Sequence, residues 1–121
     1  MVSISVKEPL SYLALSNSIR GSVVTWAKTL ANDVADCNIT VNNILTGYFQ
    51  TERIEEINLE KAKKLDVPIN QIYESMKNQV PMKRIGRPEE FAYLASFLCS
   101  DKADYITGIN IPIDGGLIKS L

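Results

Sequence analysis

The sequence predicts an α/β protein in which about three strands form a small sheet flanked by helices, and two features carry that reading. Hydrophobic periodicity switches along the chain, from strand-like at Val2–Val6 to helical between Ser16 and Ala35, then back to strand-like at Asn38–Leu45. Further on, a helix start at Pro88 is followed by a branched apolar run, Ile106–Ile113, closed by the turn cluster Asp114-Gly115-Gly116. Strands separated by helices fit a parallel sheet, because parallel neighbours need a long crossover. If the first two strands are parallel, Val2 to Leu45 is a βαβ unit with a right-handed crossover.

Each element has a local justification. Val2–Val6 is the tail of a strand and Pro9–Leu15 a connector. In the helix that follows, Val23, Val24, Ala27, Leu30, Ala31 and Val34 form one apolar face. Ile19 and Trp26 lie partly off that stripe and offer a second contact surface. Asn38–Leu45 (NITVNNIL) alternates and is rich in branched residues, as a strand should be. Residues 52–79 are charged and mixed, with Ile69, Ile72, Tyr73 and Met76 marking a short amphipathic helix after Pro68. Pro88 sits where a first helical residue needs no amide donor, and Glu89 and Glu90 place negative charge at the positive end of the helix dipole. Phe91, Leu94, Ala95 and Leu98 give this helix, ending about Ser100, an apolar face suited to a sheet. Pro112 cannot donate to a ladder and favours an edge position or irregular pairing for the last strand.

Composition narrows the function. A chain of 121 residues with 45% hydrophobic and 22% charged residues is ordinary for one soluble domain, and a net charge of −1 gives no footprint for nucleic acid or an anionic membrane. No apolar stretch approaches a membrane span and no signal-peptide pattern opens the chain, so a cytoplasmic protein is expected. Cys37 and Cys99 stand alone in a chain without histidine, which leaves neither a redox motif nor a histidine-containing zinc site; no metal ligands are expected, and both cysteines read as small buried hydrophobes.

Two motifs make the C-terminal segment specific. Pro81, Arg84, Gly86, Pro88 and Glu90 spell P-x-x-R-x-G-x-P-x-E, and Thr107, Gly108, Asp114, Gly115 and Gly116 spell TG-x5-DGG. Together they resemble the C-terminal end of the short-chain dehydrogenase/reductase family, in its oxoacyl-reductase-like branch. The resemblance extends from the strand before the family's catalytic helix to the DGG turn, which is only the latter half of a family member. It implies that residues 1–121 are a single partial domain, the C-terminal half of a Rossmann-type doubly wound parallel sheet, with residues 52–79 as a helical excursion like the family's substrate lid. It further implies NAD or NADP as cofactor and a small-molecule carbonyl or alcohol as substrate.

The family's active positions carry over only in part. Its catalytic helix opens with Tyr-x-x-x-Lys, where the phenol exchanges a proton with the substrate oxygen and the lysine lowers the phenol pKa from about 10 and holds the nicotinamide ribose. On that frame Ser16 takes the tyrosine position and Arg20 the lysine position. Serine is no ready acid or base near neutral pH without an activating neighbour, whereas arginine stays protonated and can keep a ribose-binding role. Ser3, thirteen residues before Ser16, matches the serine that polarises the substrate carbonyl, or is a plain strand-end hydroxyl. Tyr12, four residues before Ser16, is a candidate displaced phenol. The family's P-G-x-x-x-T segment, which meets the nicotinamide carboxamide and phosphates, becomes Thr46-Gly47-Tyr48-Phe49-Gln50-Thr51, so Thr46, Gly47, Phe49 and Thr51 are candidate cofactor contacts. Thr51 equally suits a helix N-cap.

The six glycines, at positions 21, 47, 86, 108, 115 and 116, form no G-x-G-x-x-G or related cluster, so the turn that cradles a dinucleotide pyrophosphate is absent from this sequence. The expectation is an NAD(P)-dependent oxidoreductase portion inactive by itself, or a non-catalytic assembly or binding module derived from that family. Three short parallel strands expect cover on both faces and partners at their edges, which calls for a complementary N-terminal half or self-association into a homo-oligomer.

Overall fold

A computed structural model describes residues 1–11 and 13–120, and the predicted alternation is present. The elements are β1 (Val2–Ser3), α1 (Ala14–Asp33), β2 (Asn43–Thr46), α2 (Glu52–Leu65), α3 (Ile69–Gln79), α4 (Pro88–Leu98) and β3 (Asn110–Ile113), with three single 3₁₀ turns between them. The strands form one parallel sheet in the order β1-β2-β3, with Val2 opposite Leu45 and Asn43 to Thr46 opposite Asn110 to Ile113. Pro112 lies on β3, an edge of the described sheet, where its missing N–H costs no ladder bond.

All three strands are shorter than expected, because side chains replace part of the ladder. After Ser3 the chain turns into a 3₁₀ helix over Ile4–Val6, with the Ser3 hydroxyl capping it by accepting from the Ser5 N–H at 3.2 Å. Residues 38–42 are not strand: Asn38 adopts a left-handed φ of 59°, and Val41 and Asn42 reach the last strand by other means. The Val41 N–H donates to Thr107 Oγ1 at 3.1 Å, Asn42 Nδ2 donates to the Ile106 carbonyl at 2.7 Å, and the Gly108 N–H donates to the Val41 carbonyl at 2.8 Å. Thr107-Gly108 therefore joins β3 to β2 before either becomes regular strand.

The core is narrow. Leu45 is fully buried and packs with Val2 and Ile4, with Val6, Val24, Leu117 and Ile118 around them. Ala27 and Ala31 are the buried residues of α1, small enough to let that helix approach the sheet, while Val24, Leu30 and Val34 are half-buried and Val23 is exposed. A second, flanking side of α1 carries Leu15, Ile19, Val23 and Trp26 in the open, with Trp26 63% exposed, so Trp26 is not packed inside this chain. The predicted face of α4 is present but only half-covered, since Phe91, Leu94, Ala95 and Leu98 are all intermediate in burial. Both cysteines are exposed, contrary to expectation, because Cys37 lies in the turn after α1 and Cys99 at the C-terminal cap of α4, beyond the surfaces that face the sheet.

Residues 52–79 form two helices rather than one. Thr51 caps α2, its hydroxyl accepting from the Ile54 N–H, and α2 ends on Asp66 in a left-handed conformation. Its partner α3 packs against it through Ile72 and Met76, with buried Asn58 donating to Met76 Sδ at 3.2 Å.

The P-x-x-R-x-G-x-P-x-E motif is a clasp. Both terminal nitrogens of Arg84 donate to Glu90, at 2.8 and 2.6 Å, and the Arg87 N–H donates to Glu90 Oε2 at 2.8 Å. Pro88 opens α4 between them, so the clasp sets the angle at which the chain enters that helix. Hydrogen bonds from Arg84, then from the Arg87 backbone, hold the Glu90 carboxyl at about 2, below its ordinary 4.5. A depressed carboxylate contributes stability that is fully present above the ordinary value and is lost as pH falls toward the folded one. Thermal melting of wild type and Glu90→Gln across pH 2 to 7 should therefore show a wild-type advantage that is constant above about 4.5 and disappears toward about 2; a gap that does not change with pH would contradict the clasp.

Candidate functional site

The candidate site grows from the chain that leaves β2. Thr46 stands where the resembled motif has proline, and its hydroxyl donates to the Val2 carbonyl at 2.9 Å, a bond proline cannot make. This fastens the end of β2 to β1. The Gly47 N–H donates to the Ile113 carbonyl at 3.1 Å, and a Cβ on Gly47 would lie 2.6 Å from the Asp114 Cβ and 2.7 Å from its Cα. No side chain fits there, so Gly47 lets the exits of β2 and β3 touch.

Asp114 organises the other half of that contact. Its two oxygens accept from the Gly116 and Ile118 N–H groups, both at 2.9 Å, and Gly115 and Gly116 hold positive φ values of 65° and 85°. Gly115 sits against Val80 and its carbonyl accepts from the Met82 N–H at 3.2 Å. The DGG turn is thus a joint linking β2, β3 and the segment after α3. The tail beyond it is tied to the loop after β1, where Glu8 Oε1 accepts from the Lys119 and Ser120 N–H groups; those backbone bonds hold the Glu8 carboxyl below its ordinary range.

Phe49 is a buried wedge. It lies against Gly86, whose missing side chain leaves room for the ring, and meets Phe91 edge-on at 6.3 Å between centroids. Backbone bonds from Gly86 to Tyr48 and from Gln50 to Gly86, each 2.9 Å, join this loop to the clasp.

Around these residues the surface opens into a cleft of about 380 Å³ lined by Arg20, Thr46, Gly47, Phe49 and Thr51, together with Arg53 and apolar residues that include Ile54, Pro88 and Phe91. All five candidate cofactor contacts lie in this one cleft. Arg20 Nε donates to Ser16 Oγ at 3.1 Å, one helical turn away, so the two residues expected at the family's tyrosine and lysine positions form a pair. Ser16 does not line the cleft. Ser3 lines an adjoining pocket of about 170 Å³ that shares Thr46 and Gly47 with the cleft and is closed by Leu117 and Ile118. Tyr12 lies outside the described residues. Sequence reasoning passed over Tyr48, which lines the Ser3 pocket and whose phenol donates to Gln79 Oε1 at 3.2 Å, and Arg53, which lines the cleft; Tyr48 is a position the resembled motif leaves free, Arg53 lies two residues beyond that motif, and no spacing distinguishes them.

The fit to a nicotinamide cofactor is partial. Hydroxyls, a close-approach glycine and a fixed cation surround the cleft, whereas the described sheet offers no glycine-rich strand-to-helix turn for a pyrophosphate. Among the described residues no helix is long and apolar enough to cross a membrane, and no group of three potential ligands could hold a metal ion.

A parallel sheet flanked by helices, with a cleft beyond the C-terminal ends of its strands, defines a Rossmann-like α/β fragment. The sequence profile described as enoyl-(acyl carrier protein) reductase matches residues 1–118, and the chain belongs to the short-chain dehydrogenase/reductase family. It is 35% identical over 115 residues to the NADPH-dependent reductase BacG of Bacillus subtilis, covering 95% of this chain and 44% of that one. Against 3-oxoacyl-[acyl-carrier-protein] reductase FabG of Thermotoga maritima the identity is 37% over 108 residues, 89% of this chain and 38% of that one. The structure of L-sorbose reductase from Gluconobacter frateurii with NADPH and L-sorbose superposes with a TM-score of 0.93 at 33% identity, covering 99% of this chain and 46% of that one. The chain thus spans about half the length of the relatives it matches.

The Gly47 contact is directly testable. Gly47→Ala forces a methyl against the Asp114 backbone and should cost about 1–3 kcal/mol of stability, as overpacking does, read as a lowered denaturation midpoint. Gly21→Ala, where a Cβ meets nothing within 4 Å, should leave stability unchanged or raised.

Proposed function

We propose that this chain is the C-terminal portion of an NAD(P)-dependent oxidoreductase acting on a small carbonyl or alcohol, and that it does not turn over by itself. The observation that carries this reading is the convergence of Arg20, Thr46, Gly47, Phe49 and Thr51 on one cleft in a chain of this family. The cofactor supplies the hydride when bound. The chain's own residues supply one wall: Thr46, Gly47 and Thr51 present backbone and hydroxyl groups, Arg20 presents a fixed positive charge, and Phe49 with Phe91 keeps one side apolar. Ser3 places a hydroxyl in the adjoining pocket for a substrate oxygen, and α2 with α3 forms the lid.

Proton delivery is the missing step. The Ser16 hydroxyl accepts from the Arg20 guanidinium, a fixed cation rather than a proton carrier, so the Ser16–Arg20 pair orients but does not relay. This favours a second reading, a binding or assembly module derived from the family, in which the cleft holds ligand without reducing it.

Assembly completes either version. Among the described residues β1 pairs only with β2, which leaves an edge for a complementary N-terminal half, and the exposed Leu15–Ile19–Val23–Trp26 stripe on α1 suits pairing with a second copy.

Fluorescence titration with reduced nicotinamide dinucleotides, run beside an assay of carbonyl-dependent oxidation with and without a complementary N-terminal half, separates the readings: dinucleotide binding by the chain and turnover only once that half is added support the enzyme portion, while no dinucleotide binding and no turnover with the half present support the module. Efficient turnover by the chain alone would overturn the role given to Ser16 and Arg20. In sedimentation velocity, Trp26→Glu should weaken self-association by roughly tenfold or more, as loss of a buried tryptophan anchor does; unchanged association would remove α1 as the interface.

A further inference from the structure

We infer that the cleft contains an anion site built from Arg20 and Arg53, suited to a multiply charged phosphate or pyrophosphate group. The inference deepens the reading just given and rests on the same cleft, but it moves Arg20 from ribose partner to phosphate partner and adds a residue that no motif singled out.

Three observations converge. The cleft lining contains two guanidinium groups and no carboxylate, in a chain whose overall charge is −1, so this is a local concentration of positive charge. Both cations keep donors for a ligand. Arg20 uses Nε on Ser16 and, among the described residues, pairs with no carboxylate; Arg53 uses Nη1 on Glu56 at 3.1 Å, in an exposed pair that an incoming phosphate can displace at little cost. Thr46 and Thr51 line the same cleft; the Thr46 hydroxyl proton is spent on the Val2 carbonyl, whereas the Thr51 hydroxyl accepts from the Ile54 N–H and keeps its own proton to donate, and Thr51 is the N-cap of the fourteen-residue α2, whose positive dipole end adds to the arginine field.

The bond from Arg20 to Ser16 gives the altered pair a purpose. A guanidinium anchored through Nε points its two terminal nitrogens as a fork, the geometry that takes two phosphate oxygens at once, whereas a lysine in that place would be a single point charge. Ser16 is then a positioning residue for the Arg20 fork. Glu52 and Glu55 open α2 but line the neighbouring cleft between α2 and α3, where they disfavour an anion and confine it to the arginine side.

Titration calorimetry of the 121-residue chain with inorganic pyrophosphate, and separately with a reduced nicotinamide dinucleotide, tests this. Saturable pyrophosphate binding is expected, weakened roughly tenfold or more by Arg20→Gln and by Arg53→Gln, each loss matching about one charge-assisted contact. Lys102→Gln, an exposed change on another element, should have no effect. Ser16→Ala, which leaves the charge in place, should weaken binding less than Arg20→Gln. Circular dichroism checks that the variants stay folded. No saturable binding, or equal losses in Arg53→Gln and Lys102→Gln, overturns the site. Arginine-dependent pyrophosphate binding without dinucleotide binding upholds the anion site and sinks the cofactor reading. Dinucleotide binding that neither arginine substitution alters upholds the cofactor reading and sinks the anion site.

Discussion

The approach of the Gly47 backbone to Asp114 is the contact from which the rest of the structure is arranged. It brings the exits of β2 and β3 together, and the Asp114 carboxylate then folds the following turn by accepting from Gly116 and Ile118. Because Gly115 lies against Val80, the same joint positions the segment after α3, and through Phe49 and Gly86 it reaches the Arg84–Glu90 clasp that launches α4. Cleft and Ser3 pocket share Gly47, so the candidate site is held by the same contact that holds the fold.

Family and architecture were legible because their signals are local and depend on special backbone chemistry. Positive φ at Gly108, Gly115 and Gly116 leaves a mark in sequence, as does the proline opening α4. Strand limits were harder to read, since Ser3, Asn42 and Thr107 use side chains where a ladder would use backbone, and a branched run looks the same in either case. The two cysteines were misread for a related reason: burial statistics describe a residue type, while Cys37 and Cys99 fall at helix ends turned outward.

Site residues divided along the same line. Gly47 and Thr51 were singled out by register with the family's P-G-x-x-x-T segment, and Ser16 and Arg20 by register with its Tyr-x-x-x-Lys frame. Arg53 and Tyr48 had no such marker, because what brings them to the cleft and the Ser3 pocket is the turn after β2 and the entry of α2. Thr51 serves as helix cap and cleft lining at once, so the two readings of that residue do not compete.

Much apolar surface remains uncovered, from the α1 stripe to Tyr93 and Phe97 on α4, in a chain that matches about half of each relative described. The second half of the family fold can still hold its cleft, because the Gly47 joint, the DGG turn and the clasp are all internal to these residues. Amide chemical-shift mapping of the chain during titration with a reduced nicotinamide dinucleotide tests this most directly. Shifts concentrated at Arg20, Gly47, Phe49 and Thr51 are the predicted result. Absence of shifts at those residues, or shifts confined to the cleft between α2 and α3, would contradict it.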